Sequence, residues 1–161
     1  MNNGPDAHTL YVNDRAQLVP HDTLAGTEYE LRCERVSPRL MGFWHAAFWN
    51  LSLPGQVRAY VVRRGQVVVH RSLVVRGRSK FQFLQDSDIE IGPRWTHPEY
   101  RGQGIYPSVL THIMQTELSE GNAYMIVRDS NRESLRGIAK VGFRSTGRCV
   151  RVDALKRYRV Q

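Results

Sequence analysis

The sequence predicts one mixed α/β domain of the α+β kind, with a mostly antiparallel sheet of six to seven strands flanked by about four helices. Three observations carry that expectation. Two β-branched runs, 57–62 and 66–75, are joined by Arg63-Arg64-Gly65, a hairpin signal. Residues 88–118 read as a strand, a glycine turn and a helix with an apolar stripe. The chain has 161 residues, 41% hydrophobic and 24% charged, enough to bury one core and too few for two typical domains.

In chain order, residues 1–8 are polar and turn-forming and are expected to fray, leaving one domain over 9–161. Leu10-Tyr11-Val12 is a candidate extra strand, 19–27 reads as loop, and 28–36 alternates as the first core strand. Ser37-Pro38 announces a helix, with Ser as cap and Pro in the first position. Leu40, Phe43 and Ala47 suit its buried stripe. Four bulky rings between positions 43 and 49 exceed what one stripe needs, so Trp44, Phe48 and Trp49 are candidates for an acceptor pocket or a homodimer contact. His45 reads as a packed or surface histidine.

After the hairpin, 76–80 is a basic loop, and 81–84 either extends the sheet or covers an edge. Ile89-Glu90-Ile91 starts the central strand, where Gly92-Pro93 interrupts a regular ladder because proline donates no hydrogen bond. Ile105, Val109, Leu110, Ile113, Met114 and Leu118 form one helical face, stopped at Gly121-Asn122. Residues 123–127 read as a strand, and Ser130 to Glu133 has capping-box spacing for a short helix ending near Gly142. The final strands are placed at about 144–153 and 155–160.

Between the central strand and its helix lies Arg101-Gly102-Gln103-Gly104. Without Cβ atoms, Gly102 and Gly104 let successive amide N–H groups point into one concavity at the positive end of a helix. Arg101 adds a planar fork of donors suited to phosphate oxygens. The ligand implied is a phosphate or pyrophosphate; the alternative is a tight turn before a core helix.

Two motifs in order make a family resemblance. Arg101-Gly102-Gln103-Gly104-Ile105-Tyr106, led by His97-Pro98-Glu99-Tyr100, sits on an Arg/Gln-x-x-Gly-x-Gly/Ala pattern. Asn131, Ser134, Lys140, Gly142 and Phe143 match Asn-x-x-Ala-x-x-x-Tyr-x-Lys-x-Gly-Phe. Over residues 86–147 the chain thereby resembles the GCN5-related N-acetyltransferase (GNAT) superfamily. The resemblance implies that acetyl-CoA or another acyl-CoA binds at Arg101, Gly102, Gln103, Gly104, Ile105 and Tyr106, with Asn131 and Ser134 near the cofactor arm. It implies a central strand splayed from its neighbour at Gly92-Pro93, with backbone N–H groups near Trp95 and Thr96 holding the thioester carbonyl. It also implies direct attack by a primary amine of a small molecule, an amino sugar or nucleotide sugar among the candidates.

A protonated amine must lose its proton before attack. Glu90 stands where several members keep a base, acting through water, with Asp88 in reserve; a solvent-facing strand carboxylate is the alternative. The sequence departs from the pattern twice. Tyr106 replaces a small residue, so its ring either crowds the pyrophosphate or points elsewhere. Ile138 replaces the tyrosine that commonly protonates the departing thiolate, so either another group serves, with Tyr106, Tyr124 and His97 as candidate acids, or the thiolate leaves unaided. Lys140 and Phe143 are assigned to structure, and capping is an equal role for Asn131 and Ser134.

The formal net charge of +8 calls for an anionic partner. Acyl-CoA answers that need, and so would nucleic acid, although the basic residues are scattered rather than grouped on one helix. Two alternatives to the enzyme stand: a GNAT-like module that binds CoA or senses a ligand with little catalysis, and a basic nucleic-acid-binding domain. With no run near the ~18 apolar residues of a membrane span and no apolar leader, a soluble cytoplasmic protein is expected. Cys33 and Cys149 have no metal spacing and are expected to be free buried thiols, and no metal is expected.

Overall fold

In chain order the elements are β1 (His8–Asp14), β2 (Tyr29–Arg35), α1 (Pro38–Met41), α2 (Phe43–Ser52), β3 (Val57–Arg64), β4 (Val67–Arg76), β5 (Ile89–Thr96), α3 (Ile105–Glu117), β6 (Asn122–Arg128), α4 (Arg132–Lys140), β7 (Arg144–Arg151) and β8 (Tyr158–Val160). Short 3-10 turns follow β1 and β5. This computed structural model describes residues 7–53, 55–77, 81, 83–151 and 158–160, without the side chains of 43, 44, 49 and 151.

Among the described residues the strands form one sheet in the order β2-β3-β4-β5-β6-β1-β7-β8, eight rather than six to seven. The added strand is the N-terminal one. It is seven residues long and pairs antiparallel with both β6 and β7, so it lies inside the sheet. Its sequence permits this because both faces are covered: Leu10 packs with Phe81, Leu84 and Cys149, and Tyr11 packs on the main core. Phe81 and Leu84 thus cover a face of the sheet and add no strand.

The hairpin β3–β4 forms as expected, with the turn at Gly65, whose φ of 57° is left-handed. Its alternation feeds two cores. Tyr60, Val62 and Val74 face α3 and α4, whereas Ala59, Val61, Leu73 and Val75 face α1 and α2 with Val36, Leu40 and Ala46. Burying each such aliphatic side chain contributes about 1.5–3 kcal/mol, which explains why the β-branched runs dictate this layering. Cys149 is buried, but Cys33 is exposed, a correction to the expected pair of buried thiols: β2 is an edge strand with open surface around it.

Every strand pair is antiparallel except β5–β6, which pairs only at Ile89↔Ala123 and Glu90↔Tyr124. Beyond those pairs the two strands part. The register of β4 against β5 also shifts between Ser72 and Val74, where Gly92-Pro93 stands opposite. Among the described residues, no helix is long and apolar enough to cross a membrane.

Candidate functional site

Where β5 and β6 part, the C-terminal end of β5 and the N-termini of α3 and α4 enclose a cleft of about 540 Å³. Its glycine turn is built from the backbone. Gly102 and Gly104 both have φ of 78°, and Gly104 is the N-cap of α3 with no side-chain cap bond. The N–H groups of Ile105 and Tyr106, the first of α3, therefore lack an intrahelical acceptor, and both residues line the cleft. Arg101 is tethered by a hydrogen bond from its Nε to the Thr96 carbonyl at 3.2 Å. Arg94, Arg101, Arg136 and Lys140 line the cleft against the carboxylate of Glu133, so its field is positive.

The 19–27 segment, expected as plain loop, braces this turn. Thr23 N donates to Ser108 Oγ at 2.9 Å, Thr23 Oγ1 donates to the Gln103 carbonyl at 3.2 Å, and His21 N donates to Thr111 Oγ1 at 3.0 Å. A Cβ on Gly104 would lie 2.7 Å from Thr23 Oγ1, so this glycine is required by packing as well as by its dihedral. Gln103 belongs to the same brace: its Oε1 accepts from the Tyr29 hydroxyl at 2.5 Å and its Nε2 donates to the Glu99 carbonyl at 3.2 Å.

The floor of the cleft is a hydrogen-bonded line. His70, fully buried, has Nδ1 at 2.7 Å from Thr96 Oγ1 and Nε2 at 2.8 Å from Ser72 Oγ. Burial, and to a lesser degree the charge of Arg94, push the imidazole pKa down to about 3 and keep it neutral. Tyr106 stacks on His70 with ring centroids 5.8 Å apart. Its ring also meets Gly137 of α4, where a Cβ would come within 2.7 Å of Tyr106 Cδ1. The Tyr106 hydroxyl donates to Met125 Sδ at 3.7 Å. Its ring therefore points away from the glycine turn and into the gap between helices and sheet.

Of the residues singled out in the sequence, Trp95, Thr96, Arg101, Gly102, Gly104, Ile105, Tyr106, Asn131 and Ser134 line this one cleft. Asn131 also caps α4, accepting from Ser134 N at 3.1 Å. Gln103 is not among the lining residues, for the reason above. Glu90 is not either: alternation places it opposite Ile89 and Ile91, as expected, but that face is covered too, and Glu90 is 2% exposed rather than solvent-facing. Asp88 is buried and accepts from Asn122 N and Gln85 N, each at 2.8 Å, so it holds the entry to β6. Tyr124 packs edge-on against Phe83, with centroids 5.5 Å apart, and His97 lies edge-on to Trp95 and Tyr100. Phe48 is exposed on α2 and does not line the cleft. The side chains of Trp44 and Trp49 lie outside the described residues.

The sequence reading missed His70, Arg94, Tyr100, Arg136 and Gly137, and gave Lys140 a structural role. For α4 a signal existed: Glu133, Arg136, Gly137 and Lys140 recur at helical spacing on one face. For β4, His70 and Ser72 are two apart, with Arg71 between them, in a strand flanked by apolar residues, so they share a face. Among the described residues no group of three or more His, Cys, Asp or Glu could hold a metal ion.

No protein-family model and no curated protein matches the sequence. Solved structures match over most of the chain. A GCN5-related N-acetyltransferase from Kribbella flavida is similar at 14% identity and TM-score 0.57, over 88% of this chain and 55% of its own. A tandem GNAT protein from the clavulanic acid biosynthesis pathway is similar at 16% identity and TM-score 0.61, over 89% of this chain and 51% of its own. A conserved protein of unknown function from Staphylococcus epidermidis is similar at 12% identity and TM-score 0.62, over 88% of this chain and 58% of its own. The chain thus spans a little over half the length of these neighbours, and at such identities the likeness is one of fold.

Proposed function

We propose that this chain, which has the fold of the GCN5-related N-acetyltransferases, is an acyl-CoA-dependent N-acyltransferase that moves an acetyl group to a primary amine of a small molecule. The observation that carries this reading is the uncapped N-terminus of α3, set behind two left-handed glycines and facing a positively lined cleft, beside a strand pair that parts after two residue pairs. A diphosphate suits the turn N–H groups and Arg101. A slender acyl-bearing arm suits the space along β5, where Trp95 and Thr96 offer backbone to a thioester carbonyl. Acyl-CoA supplies the activated acyl group; the protein supplies position and charge.

In this reading the amine, with an ordinary pKa of about 10, gives up its proton to water before attack. Glu90, on the other face of the sheet, takes no part. The basic cleft and the net charge of +8 favour an acceptor that itself carries phosphate or acidic groups, such as an amino-sugar nucleotide. A CoA-binding or sensing module with little catalysis is the second reading, favoured by Ile138, which is 1% exposed and can donate no proton.

The test is release of free thiol from acetyl-CoA over a panel of small primary amines, with amino sugars and amino-sugar nucleotides included. Turnover with at least one amine, and a product heavier by one acetyl group, is the expected result. CoA binding without turnover across the panel would favour the sensing module. Absence of both, together with salt-steep binding to DNA or RNA, would favour a nucleic-acid-binding domain.

A further inference from the structure

Beyond the point where β5 and β6 part, the wedge between them is bridged by one side chain. Arg94 donates from Nη1 to the Ile91 carbonyl at 2.9 Å, on its own strand, and from Nη2 to the Ile126 carbonyl at 3.2 Å, on β6. The guanidinium folds back close to residue 92, where a Cβ in place of the glycine hydrogen would lie 3.1 Å from Arg94 Nη1. Its carbon is 5.9 Å from the centroid of the Tyr106 ring, and the residue lines the cleft. Two of the five guanidinium N–H groups are used in these bonds.

The other polar groups of the cleft floor are committed. Both ring nitrogens of His70 are engaged by Thr96 and Ser72, and the Tyr106 hydroxyl is turned to Met125 Sδ. Ile138, at the position where a hydroxyl acid is expected, is apolar and buried. A chain anchored at the Arg101–Gly104 turn and running down β5 past Thr96 meets Arg94 next.

We propose that Arg94 stabilises the leaving sulfur in acyl transfer, holding it as a thiolate against a fixed positive charge instead of protonating it. This deepens the acyltransferase reading and rests on it. In the step, the amine nitrogen forms the C–N bond to the acyl carbon. The C–S bond breaks with its electron pair on sulfur, and the amine proton passes to water. The thiolate stays ionised beside the guanidinium until release. A thiol with an ordinary pKa of about 8.5 needs little help to leave as its anion, and a cation within about 4–6 Å supplies it. The other charged groups of the cleft are Arg101 at the glycine turn and Glu133, Arg136 and Lys140 on α4; His70 beneath is neutral.

The experiment titrates the thiol of bound CoA by its ultraviolet thiolate absorbance, in the wild-type protein, Arg94→Met and Arg94→Lys, with CoA binding read separately from the rise in melting temperature. In the wild type the bound thiol should titrate about 1–3 units below free CoA. Arg94→Met should abolish the depression, and Arg94→Lys should retain part of it. A wild-type thiol that titrates as in free CoA, or an equal depression in Arg94→Met, overturns the role of Arg94 while leaving the CoA site standing. No melting rise with CoA in the wild type would sink the acyl-donor site, and this inference with it. If Arg94→Met does not fold, the wild-type and Arg94→Lys titrations decide.

Discussion

His70 is buried between Thr96 and Ser72, so its protonation is coupled to folding. Its pKa is about 3 in the folded protein against an ordinary 6.5. Below pH 6.5 the unfolded chain binds a proton that the folded chain refuses, so stability is complete above that value and falls as the pH drops towards 3. At about pH 5 the loss should be about 2 kcal/mol, a fall in melting temperature of roughly 4–8 °C. Glu117 does not contaminate this window. Burial raises its pKa, but hydrogen bonds from Tyr60 and Arg76 and the charge of Arg58 outweigh that, so it lies below its ordinary 4.5. Its contribution is lost only at more acid pH. Melting curves of His70→Gln should be nearly flat between pH 6.5 and 5; a slope equal to the wild type would show that the acid sensitivity lies elsewhere. At this scale the sequence revealed what is local. The glycine turn and Arg101 are legible because dihedrals and charge travel with the residue. Arg94 and His70 are not, because their roles come from Ile126, Thr96 and Tyr106, brought near by folding.

The elements tell the same story through α3 and α4. A glycine inside a helix is ordinarily replaced by alanine with a gain of up to about 1 kcal/mol. Gly137 should behave oppositely, because a Cβ there meets the Tyr106 ring at 2.7 Å while His70 stacks on that ring. Gly137→Ala should cost about 1–3 kcal/mol by overpacking, and in a Tyr106→Ala background the same change should become neutral or stabilising. Denaturant melts of the four proteins give the coupling; additive effects would mean that the ring moves aside freely. Tyr106 and Gly137 thus fit one another, which explains how a large residue stands where the motif has a small one. The hairpin and α3 were readable from periodicity. The N-terminal strand was readable as a strand, but its neighbours were not: Thr9 Oγ1 donates to Asp129 Oδ1 at 2.8 Å across 120 positions. No local pattern encodes such a pairing.

For the whole molecule, the sheet brings both motifs to the one place where two strands part. That convergence, more than either motif, supports the proposed acyl-CoA site, and the arginines and Lys140 that line it place part of the net positive charge there. The acceptor side was less legible, since the aromatic stretch on α2 offers no local rule that separates a pocket from a core. The most direct test is a thermal scan with and without acetyl-CoA, repeated for Arg101→Ala. At about 100 times the dissociation constant, binding adds about 2.7 kcal/mol, a rise of roughly 5–11 °C for a domain of this size. The predicted result is that rise in the wild type and its loss or marked reduction in Arg101→Ala. No rise with acetyl-CoA, CoA or longer acyl-CoAs would contradict the acyl-donor site and leave only the fold.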